Sequence, residues 1–161
     1  MDKLVAKRYT GGLGKTAHQG TVHPVSKKDI EEIIDVDEKA FGARRERLLR
    51  LRIEQASIGA VLRNRAGRAA GFALGVPGPE RMVIGPVVAP DEEAAALLID
   101  RIAGWAPGPV RIDIPSQHRR LADFLTRRGF ETVRHPPVMM RNGNALPPGG
   151  HLFAVASQAF G

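Results

Sequence analysis

The sequence predicts one α/β (α+β) domain: a mixed, mostly antiparallel sheet flanked by helices, with a splayed central strand. Three observations carry that prediction. The chain has 161 residues, enough for a single domain with a sizeable core. Its apolar residues switch repeatedly between helical spacing and strand-like runs. Breaks such as Pro77-Gly78-Pro79 and Pro107-Gly108-Pro109 cut those runs into short elements.

Residues 1–20 read as a loosely ordered segment before a domain spanning 21–161. They hold Gly11, Gly12, Gly14 and Gly20 among many charges, without periodicity. Gly11 to Thr16 (GGLGKT) is similar to a phosphate-binding loop. Tyr9 stands where such a loop needs its first glycine, and Ala17 to Pro24 is a poor helix, so no nucleotide site is assigned. A short strand follows at Gly20 to Val25. Ser26 and Asp29 form a helix-start signature. The helix after them places Ile30, Ile33, Ile34, Asp37 and Phe41 near one face and stops at Gly42. A second helix begins near Arg44 and carries Leu48, Leu49, Leu51 and Ile53.

From residue 58 the pattern becomes strand-like. Ile58 to Arg63 and Arg68 to Val76 form a hairpin about Asn64 to Gly67. Met82 to Val88 is an apolar strand interrupted at Gly85-Pro86. Proline cannot donate to a ladder, so this strand is expected to splay from Val110 to Ile114. Asp91-Glu92-Glu93 opens a helix through Trp105, with acids at its positive end. Pro115 stops the strand at Val110 to Ile114. Ser116 is read as the cap of a helix through Arg128, with Leu121, Phe124 and Leu125 inward. Gly129-Phe130 starts a strand to about Arg134, Asn142 to Gly150 is a loop, and His151 to Ala156 is the last strand.

Bulk properties narrow the function. No cysteine is present, which removes disulfides and thiolate chemistry. No apolar run approaches the ~20 residues of a membrane span, and the N-terminal residues lack a secretion signal, so a cytoplasmic protein is expected. Lys+Arg 24 against Asp+Glu 17 gives +7, a balance compatible with an anionic cofactor. Aromatics are 5% and show no RNA-binding motif, so nucleic acid is an unlikely partner. His18 and His23 match no zinc spacing, and no metal is assigned. Met139-Met140 reads as core.

The order of elements resembles the GNAT superfamily of N-acetyltransferases. Arg127-Arg128-Gly129-Phe130 after an amphipathic helix looks like its helix-then-GF junction. A narrower resemblance runs from about Ile34 to Gly161. Its pieces are Asp37 with Ala40-Phe41-Gly42 and Arg45, then Ala70 to Leu74, Ile84 to Ala89, Ile112 to Pro115, and Gly129-Phe130 with Arg134 and Met140. Phe153-Ala154 and Phe160-Gly161 complete it. Together they are similar to the YitH-like acetyltransferase domain, often the C-terminal half of two-domain proteins. Residues 1–29 are too few to form another such domain ahead of the first helix.

The resemblance implies a CoA-dependent N-acyltransferase that moves an acetyl group from acetyl-CoA, its co-substrate, to an amine in a ternary complex. The acceptor would be a small-molecule or protein amine, and a homodimer is compatible. Such a reaction must align thioester and amine, deprotonate the amine and stabilise the thioester oxygen. In the superfamily the splayed strand pairs with the pantetheine amides, which implies Pro86, Val87, Val88 and Ala89. The phosphates would meet the helix start at Glu93, Ala94 and Ala95. Here that turn is acidic and lacks glycine, and Asp91 to Glu93 could equally serve as plain caps. The superfamily's acid, a tyrosine four residues before the GF glycine, is Leu125.

Three residues are candidates for catalysis. Asp113 points opposite to Ile112 and Ile114; it is a base, an amine anchor, or the partner of Arg134 or Arg45. Ser116 and His118 sit beside the end of that strand and could face the thiol. Their plain alternatives are a cap and a surface residue. Asp37 and Arg45 are candidates to clamp the two-helix corner. Arg44 and Arg47 are either anchors for an anionic acceptor or a solvated face. The alternative function is a noncatalytic GNAT-fold binding or regulatory module with weak or no CoA binding.

Overall fold

The computed structural model describes residues 1–9, 20–134 and 150–156. Their elements run β1 (Asp2–Ala6), β2 (Thr21–Pro24), α1 (Ile30–Phe41), α2 (Glu46–Gln55), β3 (Ile58–Arg63), β4 (Ala69–Val76) and β5 (Met82–Val88). Then come α3 (Glu92–Trp105), β6 (Val110–Ile114), α4 (Arg119–Thr126), β7 (Glu131–Arg134) and β8 (Leu152–Ala154). The strands form one sheet in the order β2-β3-β4-β5-β6-β1-β7, with β8 paired to β5 off this path. Among the described residues only β5 and β6 run parallel.

Residues 2–6 correct the expectation of a loosely ordered start. They form β1, which pairs with β6 from Asp2↔Ile114 to Ala6↔Val110 and with β7 on its other side. Leu4 and Ala6 are buried while Lys3 and Val5 are only half-buried. An alternation this short is a weak strand signal, and both partner strands lie far along the chain. The glycine run at Gly11 to Thr16, His18, Met139-Met140, most of the loop from Asn142 and the terminal Phe160-Gly161 lie outside the described residues.

The two faces of the sheet are covered differently. Along β4, Ala73 joins the cluster built on α3 and α4, including Leu98, Ile99, Ile102, Leu121 and Leu125. Its neighbours Phe72 and Leu74 join Ile33, Ile34 and Leu49 under α1 and α2. Adjacent strand residues point to opposite faces, so one strand feeds both cores. Between α1 and β2, Ser26 N–H donates to Asp29 Oδ2 at 2.6 Å across a short 3-10 turn. Gly42, at φ 83°, ends α1 and donates to Glu38 O at 2.8 Å. This left-handed conformation favours glycine.

The expected splay is present. Parallel pairing of β5 with β6 runs from Met82↔Val110 to Ile84↔Ile112 and stops there. Gly85 follows at φ 153°, and Pro86 offers no N–H. Beyond them the strands part, and β8 lies in the opening.

Candidate functional site

Both walls of the opening bond to β8 and its flanks. On the β5 side, Val87 and Val88 are in register with Ala154 and Leu152. Ala89 N–H donates to His151 O at 3.0 Å. On the β6 side, Val155 N–H donates to Asp113 O at 3.1 Å. A Cβ on Gly85 would stand 2.1 Å from Val155 O, so only glycine admits this approach. Three side chains hold the same segment. His118 Nε2–H donates to Leu152 O at 3.0 Å, Arg52 Nη2 donates to Ala156 O at 2.8 Å, and His151 Nδ1 bonds Pro90 O at 3.0 Å.

The three catalytic candidates do not converge. Asp113 is 1% exposed, and its carboxylate is gripped by Arg111, through Nε at 3.0 Å and Nη2 at 2.5 Å. Of the expected partners, Arg45 is engaged elsewhere, and the Arg134 side chain lies outside the described residues. Residues two apart on a strand share a face, so Arg111 was the nearest cation. Arg45 is spent on Asp37, at 3.0 and 2.7 Å, and clamps the corner between α1 and α2 as expected. Ser116 is not a cap. A turn with His118 N–H on Pro115 O intervenes, α4 starts at Arg119, and Ser116 Oγ donates to Asp2 Oδ1 at 2.9 Å. It ties β1 to the end of β6.

His118 is buried rather than on the surface. Its ring lies 4.4 Å from that of Phe153, on the α3–α4 side of the sheet, while Asp113 faces the other side. Burial lowers its pKa below the ordinary 6.5, against smaller upward pulls from the Leu152 carbonyl and from Glu92, whose Oε1 is 4.0 Å from Nδ1. The fold therefore favours the neutral ring. Below about pH 6.5 the unfolded chain takes up a proton that the folded chain resists, so stability is full above that pH and falls as pH drops towards the lowered value. We expect the urea midpoint of the parent to fall between about pH 7.5 and 5, and to fall less in His118→Gln. An equally steep fall in the variant would place the effect elsewhere.

The helix start is a closed cap. Asp91 Oδ1 accepts from Ala94 N–H at 2.8 Å, and Asp91 O accepts from Ala95 N–H at 3.0 Å. Two of the donors proposed for phosphates are thus taken by Asp91. Beside it a depression of about 280 Å³ is lined by Lys39, Ala40, Ala69, Val88, Pro90 and His151, among others. Leu125 is buried in the core. Tyr9 does not replace the missing tyrosine: its hydroxyl donates to Asp100 on α3, and burial, helped by that carboxylate, pushes its pKa up. Arg44 bonds Asp35, Glu38 and Glu46 and has no cation to spare for an acceptor.

Comparison with known proteins agrees with this topology. Residues 33–154 match the model of the acetyltransferase (GNAT) domain. The chain belongs to the GNAT acetyltransferase family. It is 37% identical over 134 residues to the uncharacterized N-acetyltransferase YitH of Bacillus subtilis, covering 83% of this chain and 48% of that one. A solved structure from Pyrococcus horikoshii, assigned to the acetyltransferases, matches 99% of this chain and 51% of its own with TM-score 0.70 at 19% identity. Another GNAT-family structure, from Novosphingobium aromaticivorans, matches 83% of this chain and 59% of its own with TM-score 0.55 at 15% identity. At those identities the structures speak for the fold. The chain spans about half the length of the curated relative it matches.

As folded here, the residues of this GNAT domain do not fit an acyl-CoA between β5 and β6. The backbone of Val87, Val88 and Ala89 pairs with the chain's own strand, and Asp91 covers the helix start. Leu152, Phe153 and Val155 are buried in the two cores. Arg52, Arg111 and His151 were not singled out by sequence. The i, i+2 spacing of Arg111 and Asp113 was a usable signal, whereas the other two act through the segment that carries β8.

Proposed function

We infer that the chain is an acyl-CoA-dependent N-acyltransferase, acting by direct transfer to a small-molecule or protein amine, with acetyl-CoA as co-substrate. The parting of β5 and β6 after Ile84 and Ile112 supports this reading, because it lies where the family resemblance puts the acyl-CoA slot. The conformation described above is then its closed form. Arg47 remains a candidate contact for an anionic acceptor. A cytoplasmic site of action belongs to the same reading; among the described residues no helix is long and apolar enough to cross a membrane.

A second reading, a noncatalytic module of the same fold, is favoured by β8 and by the capped helix start. CoA separates the two. At about 100 times its dissociation constant CoA adds about 2.7 kcal/mol to folding stability, and a raised melting temperature is expected. An unchanged melting temperature at millimolar CoA, with no acetylation of a panel of amines, would favour the module.

A further inference from the structure

We propose that Gly150–Ala156 is an autoinhibitory strand, competing with acyl-CoA for the backbone of β5 and leaving the slot before CoA enters; this rests on the acyltransfer reading. The segment sits at the place where β5 and β6 are parted, and it uses the Val87–Ala89 edge that the resemblance gives to a pantetheine chain, while across the gap it bonds Asp113 O. Its approach is built in through Gly85, where any Cβ would strike Val155 O. The three holding side chains come from separate elements, Arg52 on α2, His118 ahead of α4 and His151 in the segment itself. Arg52 and His118 grip the segment's own main-chain oxygens, whereas His151 reaches from the segment to Pro90 O.

An occupant that must leave lowers apparent affinity by the fraction of molecules with an open slot. A lock can test this. Val88 and Leu152 are partners in register and share the α1–α2 cluster. Directly opposed antiparallel residues stand within disulfide range. The chain has no cysteine, so Val88→Cys with Leu152→Cys gives a single, unambiguous bond. Hydrogen exchange and CoA calorimetry are then run on the parent and on both redox forms of the variant.

In the parent and the reduced variant, amides of 150–156 are expected to exchange at least about tenfold faster than those of Val61 and Leu74, and faster still with CoA. Oxidation should slow that exchange and weaken CoA binding at least about tenfold, with recovery on reduction. Exchange of 150–156 only through global unfolding overturns the proposal. So does equal CoA affinity in the two redox forms, which would leave acyl transfer standing with CoA bound elsewhere. Absence of CoA binding in all forms overturns acyl transfer, and CoA as the competitor with it. A second variant, Arg52→Met, guards against misfolding of the cysteine pair. It removes a hold on Ala156 O outside the slot and should raise CoA affinity; unchanged affinity with unchanged exchange at 150–156 counts against the proposal.

Discussion

Asp37→Ala is expected to destabilise the chain by about 3–5 kcal/mol, measured by urea unfolding. Asp37 is fully buried, and both its oxygens bond Arg45, whose side chain is only 9% exposed. The guanidinium also lies 3.7 Å from the centre of the Phe41 ring. Removing the carboxylate takes two hydrogen bonds and a counter-charge from a cation in a site that water barely reaches. Most of the cost is that loss rather than the net worth of the pair. Replacing both residues together, Asp37→Leu with Arg45→Leu, should therefore cost less than Asp37→Ala alone. If the double variant is the less stable, the pair itself is strongly stabilising. The contrast with Arg44 is instructive: it bonds three carboxylates on the surface, where solvent screening leaves each pair little weight.

Phe153→Ala should cost a similar amount, about 3–5 kcal/mol. The ring is 2% exposed, belongs to the main core and stacks on His118. Its loss opens a cavity in the core under α3 and α4 and removes the apolar cover that keeps His118 neutral. Beyond a lower urea midpoint, exchange at 150–156 should rise more than at β3. A uniform rise across the sheet would mean that β8 opens only with the whole domain, in agreement with a permanent core strand.

Some of this architecture is legible in the sequence because its causes are local. The hairpin of β3 and β4 follows from two apolar runs around Asn64 to Gly67, and Asn64 Oδ1 accepts from Ala66 and Arg68 N–H in that turn. The splay follows from Pro86. The Asp37–Arg45 clamp follows from two charges on either side of a helix-ending glycine. What the sequence hides depends on distant partners. His118 reads as a surface residue until Leu152 and Phe153 arrive beside it. Ser116 reads as a cap until the turn at Pro115 pushes the helix start to Arg119. The slot itself was readable, whereas its occupant was not, since nothing in Leu152 to Ala154 names the edge that it pairs with.

The placement of β1 sets an order of assembly. Ala6 pairs with Val110, and Val5 with Glu131. Strand β1 therefore lacks both partners until about a hundred residues have followed it. At roughly 5–20 residues per second that is a wait of about 5–20 s. Throughout it Leu4 and Ala6 have no core to enter. When β6 and β7 do arrive, joined through α4, they must leave room between them for a strand made long before. Contacts this remote in sequence are slow to form, because loop closure is entropically costly before any pairing rewards it. The hairpin of β3 and β4, complete by Val76, is the natural place for folding to begin, and the insertion of β1 is the natural last step.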